Sequence, residues 1–238
     1  MKTKVLILLI SLFASMNVLG QYSIDTPYNY PVKPGTREWA NFKTGEERLN
    51  ACQIPIEILS KLTTGALVET CMNYPLAFEY LLSNDERMAI SFMIENFNGL
   101  KELGRRTDGA IALLDVYKKI SNISDQSGKS QAIAVDPLSC GFLELLLVND
   151  VFLEKLKEED LKYAKLIALN VYEEKLSNPE IYGLLSVRRS FLVNSVIIMK
   201  LKNDLTNVES AAIEEFVENY NSIVPEKLEY VSRLITEK

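Results

Sequence analysis

The chain has no histidine. That absence excludes Ser-His-Asp and Cys-His nucleophilic systems, which need an imidazole base. It also excludes histidine-containing zinc or iron sites and any imidazole pH switch. Cysteine is nearly absent too: Cys52, Cys71 and Cys140 are the only three, too few for a four-thiolate zinc site. No nucleotide-binding glycine loop and no metal-ligand spacing occurs, so the sequence implies no cofactor and no bound metal. Glycine (10) and proline (8) are scarce among 238 residues, which favours long helices over a turn-rich β fold. No apolar run reaches the roughly 20 residues that a membrane-crossing helix requires. The longest later runs are Phe142 to Val148, broken by Glu144, and Phe191 to Met199, broken by Asn194 and Ser195. What survives is carboxylate chemistry, a metal held by oxygen ligands, or no chemistry. No residue is singled out as catalytic, and the balance leans away from an enzyme.

Positive charge is in deficit. Lysine and arginine number 26 against 32 acidic residues, a net −6. The first twenty residues read as a secretory leader: basic Lys2 and Lys4, an apolar stretch from Val5 to Phe13, and Val18-Leu19-Gly20 before a cut. Cleavage after Gly20 is expected, giving a secreted or periplasmic protein. No cysteine follows Gly20 for lipid attachment. Taking the two leader lysines from 26 leaves 24 against 32, a net charge of −8 on residues 21–238. Such a balance argues against a nucleic-acid partner and against an anionic membrane surface. An odd cysteine count outside the cytoplasm leaves at least one free thiol or an intermolecular bridge. Cys52 and Cys71 sit on neighbouring predicted helices and are candidates to pair; the alternative is that all three are small buried hydrophobes.

Residues 21–35 stand apart. Tyr22, Tyr28 and Tyr30 alternate with Pro27, Pro31 and Pro34, and proline at that density keeps the backbone extended. An arm lying across the domain surface with its rings packed down is the expectation; an aromatic platform for a sugar or peptide is the alternative. From Thr36 onward the pattern is helical. Thr44 and Glu47 form a capping-box signature. Pro55 suits a first helical turn, opening a helix to Leu62. Thr63 or Thr64 begins the next, and Asn84-Asp85 caps a helix with Ile90, Met93, Ile94 and Phe97 on one face. Asn98-Gly99 reads as a turn, and Ala110, Leu113, Leu114, Tyr117 and Ile120 mark another amphipathic helix.

Residues 121–136 are polar and aperiodic, and are read as a loop joining two helical halves, 36–120 and 137–238. Beyond it the pattern gives a strongly apolar helix from Pro137, a long helix from Glu158 to about Leu176, and a nearly all-apolar helix from Pro179 to about Leu201. Thr206 and Pro225 each open a further helix. No run alternates long enough to demand a sheet. The expected fold is all-α: antiparallel helical hairpins forming a bundle or short α-solenoid, behind an extended N-terminal arm.

One set of segments has a recognisable order. Tyr30-Pro31-Val32-Lys33-Pro34-Gly35-Thr36 precedes Trp39 and Gln53-Ile54-Pro55. Leu67-Val68-Glu69-Thr70-Cys71, Asn73-Tyr74-Pro75-Leu76, Phe97-Asn98-Gly99-Leu100 and Glu102-Leu103 follow. Over about residues 30–120 this resembles a family of uncharacterised secreted proteins from Gram-negative gut anaerobes. The resemblance implies secretion, a bacterial source and an all-α fold. It supplies no catalytic residues.

Three charges interrupt apolar helices: Glu144 within Phe142 to Leu147, and Arg188 and Arg189 after Leu184-Leu185. A charge on a buried helix must be paired or face a cavity. Glu144 with one arginine is therefore the candidate ligand-binding set, against a purely structural ion pair. Arg105, Arg106 and Asp108 suggest an anion site or ordinary helix-end charges. Glu158-Glu159-Asp160 reads as a solvated first turn. Asn122, Asp125 and Gln126 are in poor register for calcium. Two functions stay open: a secreted helical interaction module presenting a groove or face to a protein, peptide or glycan, and a carboxylate-based hydrolase of polysaccharide or cell-wall material. A structural subunit of a surface assembly is the third.

Overall fold

The computed structural model describes residues 22–120, 137–201 and 205–220. The leader with its expected cut, the 121–136 segment and the helix expected from Pro225 lie outside the described residues.

The protein is all-α. In chain order the helices are α1 Arg37–Asn41, α2 Gly45–Ala51, α3 Ile56–Leu59, α4 Thr64–Met72, a 3-10 helix η1 Ala77–Leu82, α5 Glu86–Asn96, α6 Asn98–Arg105, α7 Gly109–Ile120, α8 Pro137–Leu147, α9 Asp150–Leu153, α10 Glu158–Ser177, α11 Pro179–Tyr182, α12 Leu184–Leu201 and α13 Asn207–Glu218. Side-chain caps start many of them, because the first turn leaves backbone N–H groups without carbonyl partners. Thr44 and Glu47 exchange bonds across the start of α2, Thr63 accepts from Ala66 N ahead of α4, and Asp85 accepts from Met88 N ahead of α5. Thr206 and Glu209 form a second capping box at α13.

Three boundaries differ from the sequence reading, each for a local reason. Pro55 is the cap of α3 with extended backbone (ψ 134°), and α3 stops at Leu59. Asn98 opens α6 instead of making a turn. Its carboxamide pairs with the backbone of Ile54, accepting from Ile54 N at 3.0 Å and donating to Ile54 O at 2.7 Å. This side chain holds the 53–55 segment as a neighbouring strand would. The helix expected from Pro179 to Leu201 is two helices, because Gly183 sits at φ 75°, where a side chain would be strained.

The core is continuous across both sides of 121–136. Helix α8 touches α4, α5, α7, α9, α12 and η1, while α10 and α12 form the most extensive pair and α7 packs on α10. On α5, Ile90, Met93 and Ile94 are buried and Met88 and Phe92 face out, the 3–4 spacing of one core-facing stripe. Each such buried side chain contributes about 1.5–3 kcal/mol.

Residues 22–35 contain no helix. Ile24 bridges to the segment after α3, donating to Lys61 O at 2.8 Å and accepting from Thr63 N at 3.0 Å. Tyr28 N donates to Thr70 Oγ1, and the Tyr30 hydroxyl donates to Thr70 O. Tyr30 is buried beside Tyr28, Tyr74 and Phe97, with Tyr74 stacked on Phe97 at a centroid distance of 4.0 Å. Tyr22 is exposed. Trp39 on α1 is half-buried, edge-on to Phe42 and beneath the Arg48 guanidinium. Cys52, Cys71 and Cys140 are each free and buried, so the candidate Cys52–Cys71 bridge is absent. Burial pushes the Cys52 thiol up to about 11 and the Cys140 thiol to about 12.

Candidate functional site

Glu144 lies at the heart of the fold. It projects from α8 with 1% of its surface exposed, and three helices bring donors to a single oxygen. Oε1 accepts from the Tyr117 hydroxyl of α7 at 2.8 Å, from Lys175 Nζ of α10 at 2.8 Å and from Ser190 Oγ of α12 at 2.6 Å. Oε2 has no partner. The side chains of Glu144 and Lys175 are both fully shielded from solvent. Lys175 also reaches Ser186 O at 3.4 Å. Ser186, Ser190 and Asn194, four residues apart, set a polar row along α12, and Asn194 Nδ2 donates across to Ala168 O of α10 at 2.9 Å. Burial pulls the Lys175 ammonium down, but the Glu144 carboxylate beside it outweighs that and holds the group above its ordinary value. Burial, then the neighbouring carboxylate, pushes the Tyr117 phenol well up, so it stays protonated and donates.

Arg188 and Arg189 do not join Glu144. Successive residues on a helix point about 100° apart, and each arginine finds its own partner. Arg189 is 3% exposed and grips Glu86 of α5 through two nitrogens, Nε at 3.0 Å to Oε2 and Nη2 to Oε1. Its guanidinium stands 5.3 Å from the Tyr80 ring centroid. The route passes α8 at Gly141, where a Cβ would fall 2.9 Å from Arg189 Nη1 and 2.6 Å from the Tyr80 hydroxyl. Arg188 stacks 4.6 Å over the Tyr220 ring, and Tyr220 donates to Glu86 Oε2 at 3.4 Å. Arg106 is also committed inward, donating to Leu62 O at 2.8 Å and to Glu102 at 3.2 Å. Glu158 pairs with Lys162 on the exposed first turn of α10.

The residues that complete the Glu144 cluster are Lys175, Tyr117 and Ser190. Lys175 had a signal: Leu161, Ala164, Ala168 and Val171 are buried at alternating three- and four-residue steps, and the next step lands on Lys175. Tyr117 occupies the corresponding stripe of α7.

Beside this interior network a surface cleft of about 280 Å³ opens between α5, the α8–α9 junction and the end of α13. Asp85, Asp150 and Glu218 contribute carboxylates to its lining, with Met88 and Tyr220. Arg87, its one cation, donates to Val217 O at 2.8 Å. Ser91 and Asn149 bond to one another at 3.1 Å. Glu144, Arg188 and Arg189 are not among the lining residues; Tyr220 connects the cleft to the arginine network. Among the described residues no acidic or cysteine group is placed to hold a metal ion, and no helix is long and apolar enough to cross a membrane. No family model, no curated protein and no solved structure matches this chain.

Proposed function

We propose that the protein is a secreted or periplasmic helical interaction module whose cleft takes part of a protein, peptide or glycan partner. The observation that carries this reading is the cleft itself: a concave surface of about 280 Å³ lined by the acidic residues Asp85, Asp150 and Glu218, whose one lining arginine among the described residues donates to Val217 O. A partner that offers hydrogen-bond donors or positive charge complements that lining. The leader-like first twenty residues support export.

Peptide and glycan arrays probed with residues 21–238 test this, with Ser91→Trp to fill the cleft. A bound ligand should lose at least about tenfold in affinity in the filled variant, the effect of blocking a central contact. Binding indifferent to Ser91→Trp, or no binding, overturns the proposal. Release of new reducing ends from cell-wall polysaccharide, lost in Asp150→Asn, would replace it with the hydrolase reading.

A further inference from the structure

Where α11 meets α12, three apolar side chains face solvent. Ile181, Leu184 and Leu185 are 62%, 80% and 49% exposed, on either side of the turn that Gly183 makes at φ 75°. Scattered exposed leucines are ordinary, but three within five positions form a patch. The last described residue, Tyr220, lies beside them. Side chains on a helix lean toward its N-terminus, so Arg188 runs back over the turn that begins at Leu184. Its guanidinium stands 4.6 Å from the Tyr220 ring centroid, and Tyr220 is itself buried. The chain therefore leaves the described body next to this corner.

The residues that follow carry a matching face. After Pro225, Leu228, Val231 and Ile235 recur at three- and four-residue steps. Glu226, Glu229, Arg233 and Glu237 fall on the opposite side of the same helix. Residues 219–224 make a short connection from α13, and helices joined by short connections lie side by side. At 1.5 Å per residue, 225–238 spans about 21 Å as a helix, enough to cross the corner. A helix of that length is marginal in water by itself, so its apolar face needs a surface to lie on.

We propose that residues 225–238 dock as a helix on this chain's own α11–α12 corner, with Leu228, Val231 and Ile235 against Ile181, Leu184 and Leu185. None of these three corner residues lines the cleft, so the contact is separate from the partner site proposed above.

Hydrogen–deuterium exchange of residues 21–238, read by mass spectrometry, tests this contact. Amides of 228–238 should exchange at least about tenfold more slowly than in an unstructured peptide of the same sequence, as expected of a segment held in place. Leu184→Asp/Leu185→Asp should return them to the unstructured rate while α8 peptides stay protected. Aspartate suits the first turn of α12, so the body should keep its fold. Should α8 also lose protection in that variant, Ile181→Asp gives the same comparison with one substitution. Exchange of 228–238 at the unstructured rate in the wild type overturns the proposal. So does protection that survives the corner substitutions, or that falls on dilution, which would make a second copy the partner.

Discussion

Replacing Arg189 by methionine should strand the Glu86 carboxylate. In the folded protein Glu86 takes two charge-assisted bonds from Arg189, and its side chain is 12% exposed. Its remaining partner is the Tyr220 hydroxyl at a long 3.4 Å. Methionine fills the volume but offers no donor, so the variant keeps the packing and leaves a largely buried charge uncompensated. Breaking a buried pair in this way costs about 3–5 kcal/mol. The residual access of Glu86 to water places the expected loss near the lower bound, about 3 kcal/mol. For a chain of this size, at about 2–4 °C per kcal/mol, the melting temperature should fall by about 6–12 °C. Glu86→Gln keeps an acceptor but leaves the more deeply buried Arg189 charge without a counter-charge, and should cost a similar amount, about 3 kcal/mol. The combined Arg189→Met/Glu86→Gln variant should be more stable than the sum of the two singles implies, because the orphaned charge is gone. Urea unfolding followed by circular dichroism reads all three. A cost below about 1 kcal/mol for Arg189→Met would refute the reasoning, since that is the behaviour of a solvated surface pair.

Gly109→Ala should destabilise α7 by about 1–3 kcal/mol or abolish folding, because the new Cβ would sit 2.3 Å from the Leu103 carbonyl oxygen, a backbone atom with little room to yield; an unchanged melting temperature contradicts this. Glu47 is held below its ordinary value of 4.5 by the Lys43 and Thr44 N–H groups that it accepts from. A group depressed on folding stabilises above its unfolded pKa, so this capping contribution should be complete above about pH 5 and vanish as pH falls through the lowered value. Glu47→Gln should flatten that part of the acid-stability profile, measured as urea midpoint against pH.

Much of the fold can be read from local chemistry. Thr44, Thr63, Asp85 and Thr206 announce helix starts because their side chains satisfy donors within three residues, an interaction wholly encoded nearby. The stripe Ile90, Met93, Ile94, Phe97 likewise needs only its own spacing. Asn98 could not be read this way: its partner, Ile54, is 44 positions distant, and the same residue type also makes turns. The break at Gly183 was visible as a glycine, but the apolar run on either side argued for continuity. At the candidate site Glu144 and Arg189 were conspicuous as charges in apolar helices. Their partners were not, since Lys175 and Glu86 are brought in by helix packing across 31 and 103 positions, which no local pattern specifies. The cleft is still less legible, being a property of where three helix ends meet.

Trp39 is the sole tryptophan, and it sits on α1, a helix with no buried residue, under the Arg48 guanidinium. Its fluorescence therefore witnesses the first-half periphery and is blind to the α8–α10–α12 interior. An emission change on selective tryptophan excitation marks events at that rim. The interior has no such single reporter, because the eleven tyrosines are spread over both regions, with Tyr30 and Tyr74 against Phe97 and Tyr80, Tyr117 and Tyr220 buried elsewhere.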